Sequence, residues 1–98
     1  MQKLNLNSEQ TEKIQTIQQQ YEVDLEKLSP ELKLRSQTLT KMLEGDAKSA
    51  EISKQQSQVS KLQKKISELE FDRYLAIRDV LTVEQRRRRY YLRKDPSN

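Results

Sequence analysis

Between Ala47 and Val80 the chain contains neither proline nor glycine, and its apolar residues return on a seven-residue repeat. Ile52, Val59, Leu62, Ile66, Leu69, Ala76 and Val80 follow at steps built from threes and fours, with Gln55 and Arg73 in the two polar slots of the register. A strand would repeat every second residue. This spacing belongs to a helix that buries one stripe against another helix. At 1.5 Å per residue the rod would be roughly 50 Å long, too long for the centre of a compact small domain. The rest of the chain is expected to lie along it or extend from its ends.

Ninety-eight residues allow one domain, residues 1–98. Of these, 33% are hydrophobic and 35% charged, with no Trp, four Tyr and one Phe. Such a chain cannot build a globular core of large aromatic side chains, but it can form long helices with narrow apolar seams. A narrow seam buries little area per residue, so a lone hairpin is marginal and dimerisation is expected to supply more burial. The absence of Cys and His removes disulfides and the usual soft metal ligands. No apolar run is long enough to span a bilayer, so no stable membrane insertion is expected. Met1 to Asn7 read as short and polar rather than as a secretory leader.

Taken in order, residues 1–6 read as a flexible lead-in, with Leu4 and Leu6 available to pack. Asn7-Ser8-Glu9-Gln10 is a helix start: Asn7 is a good cap, Gln10 can reach back to its amide, and Leu6 can act as a staple. Ile14, Ile17, Tyr21, Leu25 and Leu28 continue the helical spacing. Ser29-Pro30 is expected to break or kink the helix, with a second helix from Pro30 to about Leu43 carrying Leu32, Leu39, Met42 and Leu43. Gly45 is expected in the left-handed conformation after that helix, with Asp46 capping the long one. A tight turn between two striped helices implies an antiparallel hairpin.

Beyond Leu69 the rod gains a second apolar face: Phe71, Tyr74, Leu75, Ile77 and Leu81. Either a second chain covers it, or the N-terminal helix wraps it within one chain. Leu81-Thr82-Val83-Glu84-Gln85 then repeats the capping pattern of Leu6 to Gln10, implying a kink and a fresh helix from about Val83 to Arg93. Residues 95–98 are expected to fray. The fold expected is all-α, a long bent hairpin of about four helices.

These paired motifs, Leu81 to Gln85 and Leu6 to Gln10 with Asn7 in place of Thr, resemble the LTxxQ family of periplasmic stress proteins, which includes Spy-like, CpxP-like and zinc-resistance-associated proteins. Leu-Glu-Gly-Asp before the long helix and Leu75 to Val80 are similar to it as well. The resemblance implies bent hairpins paired as an antiparallel, cradle-shaped homodimer in the periplasm. It also implies an ATP-independent holdase that binds unfolded proteins on a basic, partly apolar face, or a regulatory adaptor docking on a sensor kinase domain. The metal-handling members commonly use His, which this chain lacks; Glu68 and Asp72 read as solvated helix surface.

Nothing in the sequence suggests catalysis: there is no His base, no Cys nucleophile and no glycine-rich phosphate loop. No cofactor is expected. Residues 1–58 carry eight bases and nine acids, whereas 59–98 carry eleven and six, so an anionic partner should meet the C-terminal part. The sharpest surface feature is Arg86-Arg87-Arg88-Arg89-Tyr90-Tyr91. Four successive arginines sweep around a helix and cannot all face one ligand. They form either a solvated helix end or a basic, aromatic-flanked patch for acidic segments. The candidate client or partner contacts are Arg35, Arg86, Arg87, Arg88, Arg89, Tyr90 and Tyr91. Leu6, Asn7, Gln10, Leu81, Thr82 and Gln85 are assigned structural, capping roles. Nucleic acid is not expected as a partner, since only one end is basic and no groove-reading motif occurs.

Overall fold

A computed structural model describes residues 4–94, and side chains as far as Tyr90. The described residues form three helices: α1 (Ser8–Glu44), α2 (Ser49–Val80) and α3 (Val83–Lys94). α1 and α2 form a long antiparallel hairpin. Near its turn Gln55 donates to the Arg35 carbonyl at 2.9 Å, and at its far end Gln10 donates to the Val80 carbonyl at 3.1 Å. Gln10 and Arg35 are as far apart in sequence as Gln55 and Val80, so the register holds along the whole hairpin. The molecule measures 57 × 28 × 16 Å, and its long axis matches the roughly 55 Å expected of an unbroken 37-residue helix.

Every position of the repeat in α2 is turned toward α1. Ile52, Gln55, Leu62, Ile66, Leu69, Arg73, Ala76 and Val80 are half-buried and Val59 is buried, while most residues between them are exposed. Ile14, Ile17, Tyr21, Leu25, Leu28, Leu32, Leu39 and Met42 form the facing stripe of α1. One seam therefore holds the hairpin, as its period requires. Leu34 and Leu43 lie off it and stay exposed, at 64% and 63%.

The expected break at Ser29-Pro30 does not occur. Pro30 sits inside α1, on an exposed face between the seam residues Leu28 and Leu32. Its ring removes the backbone donor that would have met the Glu26 carbonyl, but that carbonyl belongs to an exposed residue and can be hydrated. Packing on both sides keeps the helix continuous, which is why three helices form rather than four. The turn also differs from expectation. Gly45 has φ −109° and ψ −150°, not the left-handed conformation. A Cβ there would meet the Lys41 carbonyl oxygen at 3.3 Å. Asp46 does not cap α2; the cap position is Lys48, whose side chain makes no capping hydrogen bond.

The core lies at the end opposite this turn. Leu4, Ile14, Ile77 and Leu81 form one buried cluster, bordered by Leu6, Ile17 and Val80. Residues 4–6 are thus packed rather than a loose lead-in; residues 1–3 and the tail 95–98 lie outside the described residues. Asn5, with φ 54°, turns the chain so that Leu4 reaches the cluster; Asn tolerates that conformation better than most residues. The second apolar face of α2 is accordingly divided. The N-terminal segment covers Ile77 and Leu81 within the same chain, while Phe71 and Leu75 remain 60% and 38% exposed.

Candidate functional site

Both capping motifs form, and they meet. Asn7 Oδ1 accepts from the Gln10 amide at 2.8 Å and Gln10 Oε1 accepts from the Asn7 amide at 3.1 Å. Thr82 and Gln85 make the same reciprocal pair, at 3.2 and 2.9 Å. The two glutamine side chains then bond one another: Gln10 Nε2 donates to Gln85 Oε1 at 2.8 Å, and Gln85 Nε2 donates to Gln10 Oε1 at 3.3 Å. The remaining donor of Gln85 reaches the Leu4 carbonyl at 3.1 Å. Each amide therefore caps its own helix and ties it to the other end of the chain. These groups are partly buried, so their mutual satisfaction matters more than it would at the surface.

This junction sets where α3 begins. Leu81, with φ −87° and ψ 151°, ends α2 in extended conformation, and Thr82 starts the next helix. α3 turns back beside α2: Arg86 Nε donates to the Arg78 carbonyl at 2.9 Å and Arg89 donates to the Tyr74 carbonyl at 3.1 Å. The Arg78 carbonyl, in the last turn of α2, also accepts from the Leu81 amide at 3.0 Å; carbonyls at a helix C-terminus favour cations. The Arg89 guanidinium also lies 4.0 Å from the centre of the Tyr74 ring, a cation–π geometry. Tyr74 in turn stacks on Phe71, centroids 6.4 Å apart at 9°.

Between the end of α2 and α3 lies an open cleft of about 470 Å³. Arg78, Arg86, Arg87 and Arg89 line it together with Tyr74, Leu81, Val83 and Tyr90. None of the lining residues is acidic. Asp79 pairs with Arg78 at 3.2 Å, and Glu84 pairs at 3.5 Å with Arg88, neither of them a lining residue. The walls are thus apolar and aromatic, with guanidinium groups set among them.

Of the residues singled out in the sequence, Arg86, Arg87, Arg89 and Tyr90 come together here. Arg88 does not line the cleft, as the circumferential sweep of four consecutive positions demands. Tyr91 lies outside the described side chains. Arg35 is remote from the cleft: it bonds Glu31 at 3.2 Å and the side chain of Gln58 across the hairpin seam. Glu68 lies 4.0 Å from Lys64, one turn away on the surface of α2. Tyr74, Arg78, Leu81 and Val83 were missed as cleft residues. Arg78 precedes the arginine run by eight positions, and a break at Thr82 was legible, but not the direction in which α3 leaves it. Among the described residues, no helix is long and apolar enough to cross a membrane. The chain matches no family model, no curated protein and no solved structure.

Proposed function

We propose that this protein is a non-catalytic, ATP-independent holdase of the LTxxQ type, acting in the periplasm as a homodimer. The observation that carries the reading is the α2–α3 cleft, with four arginines and no carboxylate among its lining residues. Unfolded chains expose apolar side chains and backbone, and acidic segments are drawn to a field of one sign. The arginines speed capture; Val83, Tyr90 and the aromatic wall then hold the client weakly. Phe71 and Leu75, exposed on the outer face of α2, offer apolar area to a second copy. The capping side chains of Asn7, Gln10, Thr82 and Gln85 shape this surface and are not assigned client contact.

Light scattering from an unfolding client tests the holdase. Equimolar protein should suppress aggregation at low salt and do so less as screening rises. Unchanged aggregation at low salt would sink it. Sedimentation at micromolar concentration should show a dimer; a folded monomer would remove that part. The confinement of the cleft to one end of the rod also suits a regulatory adaptor that docks one segment of a sensor kinase domain. Recovery of one stoichiometric partner, rather than many weak ones, would favour that second reading.

A further inference from the structure

We propose that the α2–α3 cleft is selective for short polypeptide segments in which a carboxylate residue adjoins a bulky apolar residue, and does not bind unfolded chain in general. The inference rests on reading this cleft as the client-binding site, and it names the feature of a client that the site takes.

Size is the first constraint. A volume of about 470 Å³ falls within the range of sites for small ligands, roughly 300–1,000 Å³. It accommodates a side chain or two and the backbone between them. A collapsed, partly folded client cannot enter, so recognition is local to a few residues of chain. Charge is the second. The Arg87 side chain is exposed and makes no hydrogen bond or ion pair with any described residue. Arg86 uses Nε to hold α3 against α2, and the rest of its planar fork remains as donors. Arg78 gives one Nη to Asp79, and the rest of its fork remains as donors. A carboxylate on the ligand therefore meets guanidinium donors from both α2 and α3.

The third constraint is the apolar wall. Leu81 is buried beneath the cleft, whereas Val83 and Tyr90 are 58% and 52% exposed beside it. An anion alone would leave these side chains in water. An apolar neighbour on the ligand would cover them and gain roughly 25 cal/mol per Å² of apolar surface buried. The spacing of guanidinium and apolar groups within one small cleft requires the two ligand features to be adjacent. A basic apolar segment meets like charge, which disfavours it at close range.

The test uses the full chain and three fluorescently labelled ten-residue peptides in a Ser/Gly background. One carries Asp-Phe-Glu at its centre, one Asn-Phe-Gln and one Asp-Ser-Glu. Anisotropy titrations at low salt should show the first binding at least five-fold tighter than either of the others. Arg87→Gln should weaken that binding roughly two- to five-fold, the order expected for one solvent-exposed ion pair. Lys64→Gln, which removes the same charge from the solvated face of α2, should leave it unchanged. Equal binding of the three peptides overturns the proposal, as does equal weakening by the two substitutions. Circular dichroism of both variants should match the parent, because neither side chain is buried. Light scattering run alongside separates the two readings. Peptide discrimination without suppression of aggregation retains the selectivity and removes the holdase; suppression without discrimination does the reverse.

Discussion

The two ends of the hairpin are built differently. At one, the α1–α2 turn leaves Leu43 exposed, α2 starts without a side-chain cap, and the nearest buried apolar residue of the seam is Val59. At the other, four buried apolar residues sit under two reciprocally capped helix starts joined through Gln10 and Gln85. The turn end is local in sequence and closes with little loss of chain entropy. The far end joins residues seventy or more positions apart, where closure is entropically costly. Burial and satisfied polar groups are concentrated where closure most needs them. The cleft grows out of this end, since the same junction that closes the chain also fixes the departure of α3.

The largest expected effect on this contrast comes from Ile77→Ala. It removes the centre of the buried cluster and should lower stability by about 2–4 kcal/mol in urea unfolding. The matching change in the other half, Leu43→Ala, should shift the midpoint little, because Leu43 is mostly exposed. Equal losses would erase the distinction between the ends. Pro30→Ala comes next, with the opposite sign. Since Pro30 is interior to α1, alanine restores a backbone bond and should raise stability by roughly 2 kcal/mol. If Pro30 instead opened a separate helix, the change would be neutral or unfavourable. The smallest effect is at the uncapped start of α2. Lys48→Asp supplies an N-cap acceptor and removes a cation from the positive helix end, and should add about 1 kcal/mol. No gain in the thermal midpoint would mean that this end is satisfied in some other way.

Much of this structure was legible in the sequence where one local rule governs. The stripe from Ile52 to Val80 gave the seam, polar slots Gln55 and Arg73 included, because helical period alone decides which face turns inward. Asn7-Gln10 and Thr82-Gln85 gave both helix starts, because a capping box lies within four residues. Pro30 misled because local propensity was overruled by packing of Leu28 and Leu32 on either side of it. Gly45 misled because a glycine in a turn has several accessible conformations, and the left-handed one was assumed. The meeting of Gln10 with Gln85 was not legible at all: spacing within each motif says nothing about contact between motifs. For the same reason the arginine run could be named as a basic patch, while Arg78 and Tyr74, its opposite wall, could not. The second apolar face needs cover, and Leu4 and Ile14 provide part of it from within the chain.

That one pair of glutamines joins the two ends is tested most directly by a double-mutant cycle on Gln10→Ala and Gln85→Ala, read by urea unfolding. If the side chains act as a single bonded unit, the two losses should fall short of additivity by a coupling of about 1 kcal/mol. Losses that add to within about 0.3 kcal/mol would show two independent caps, and the closure of the chain would then have to come from the apolar cluster alone.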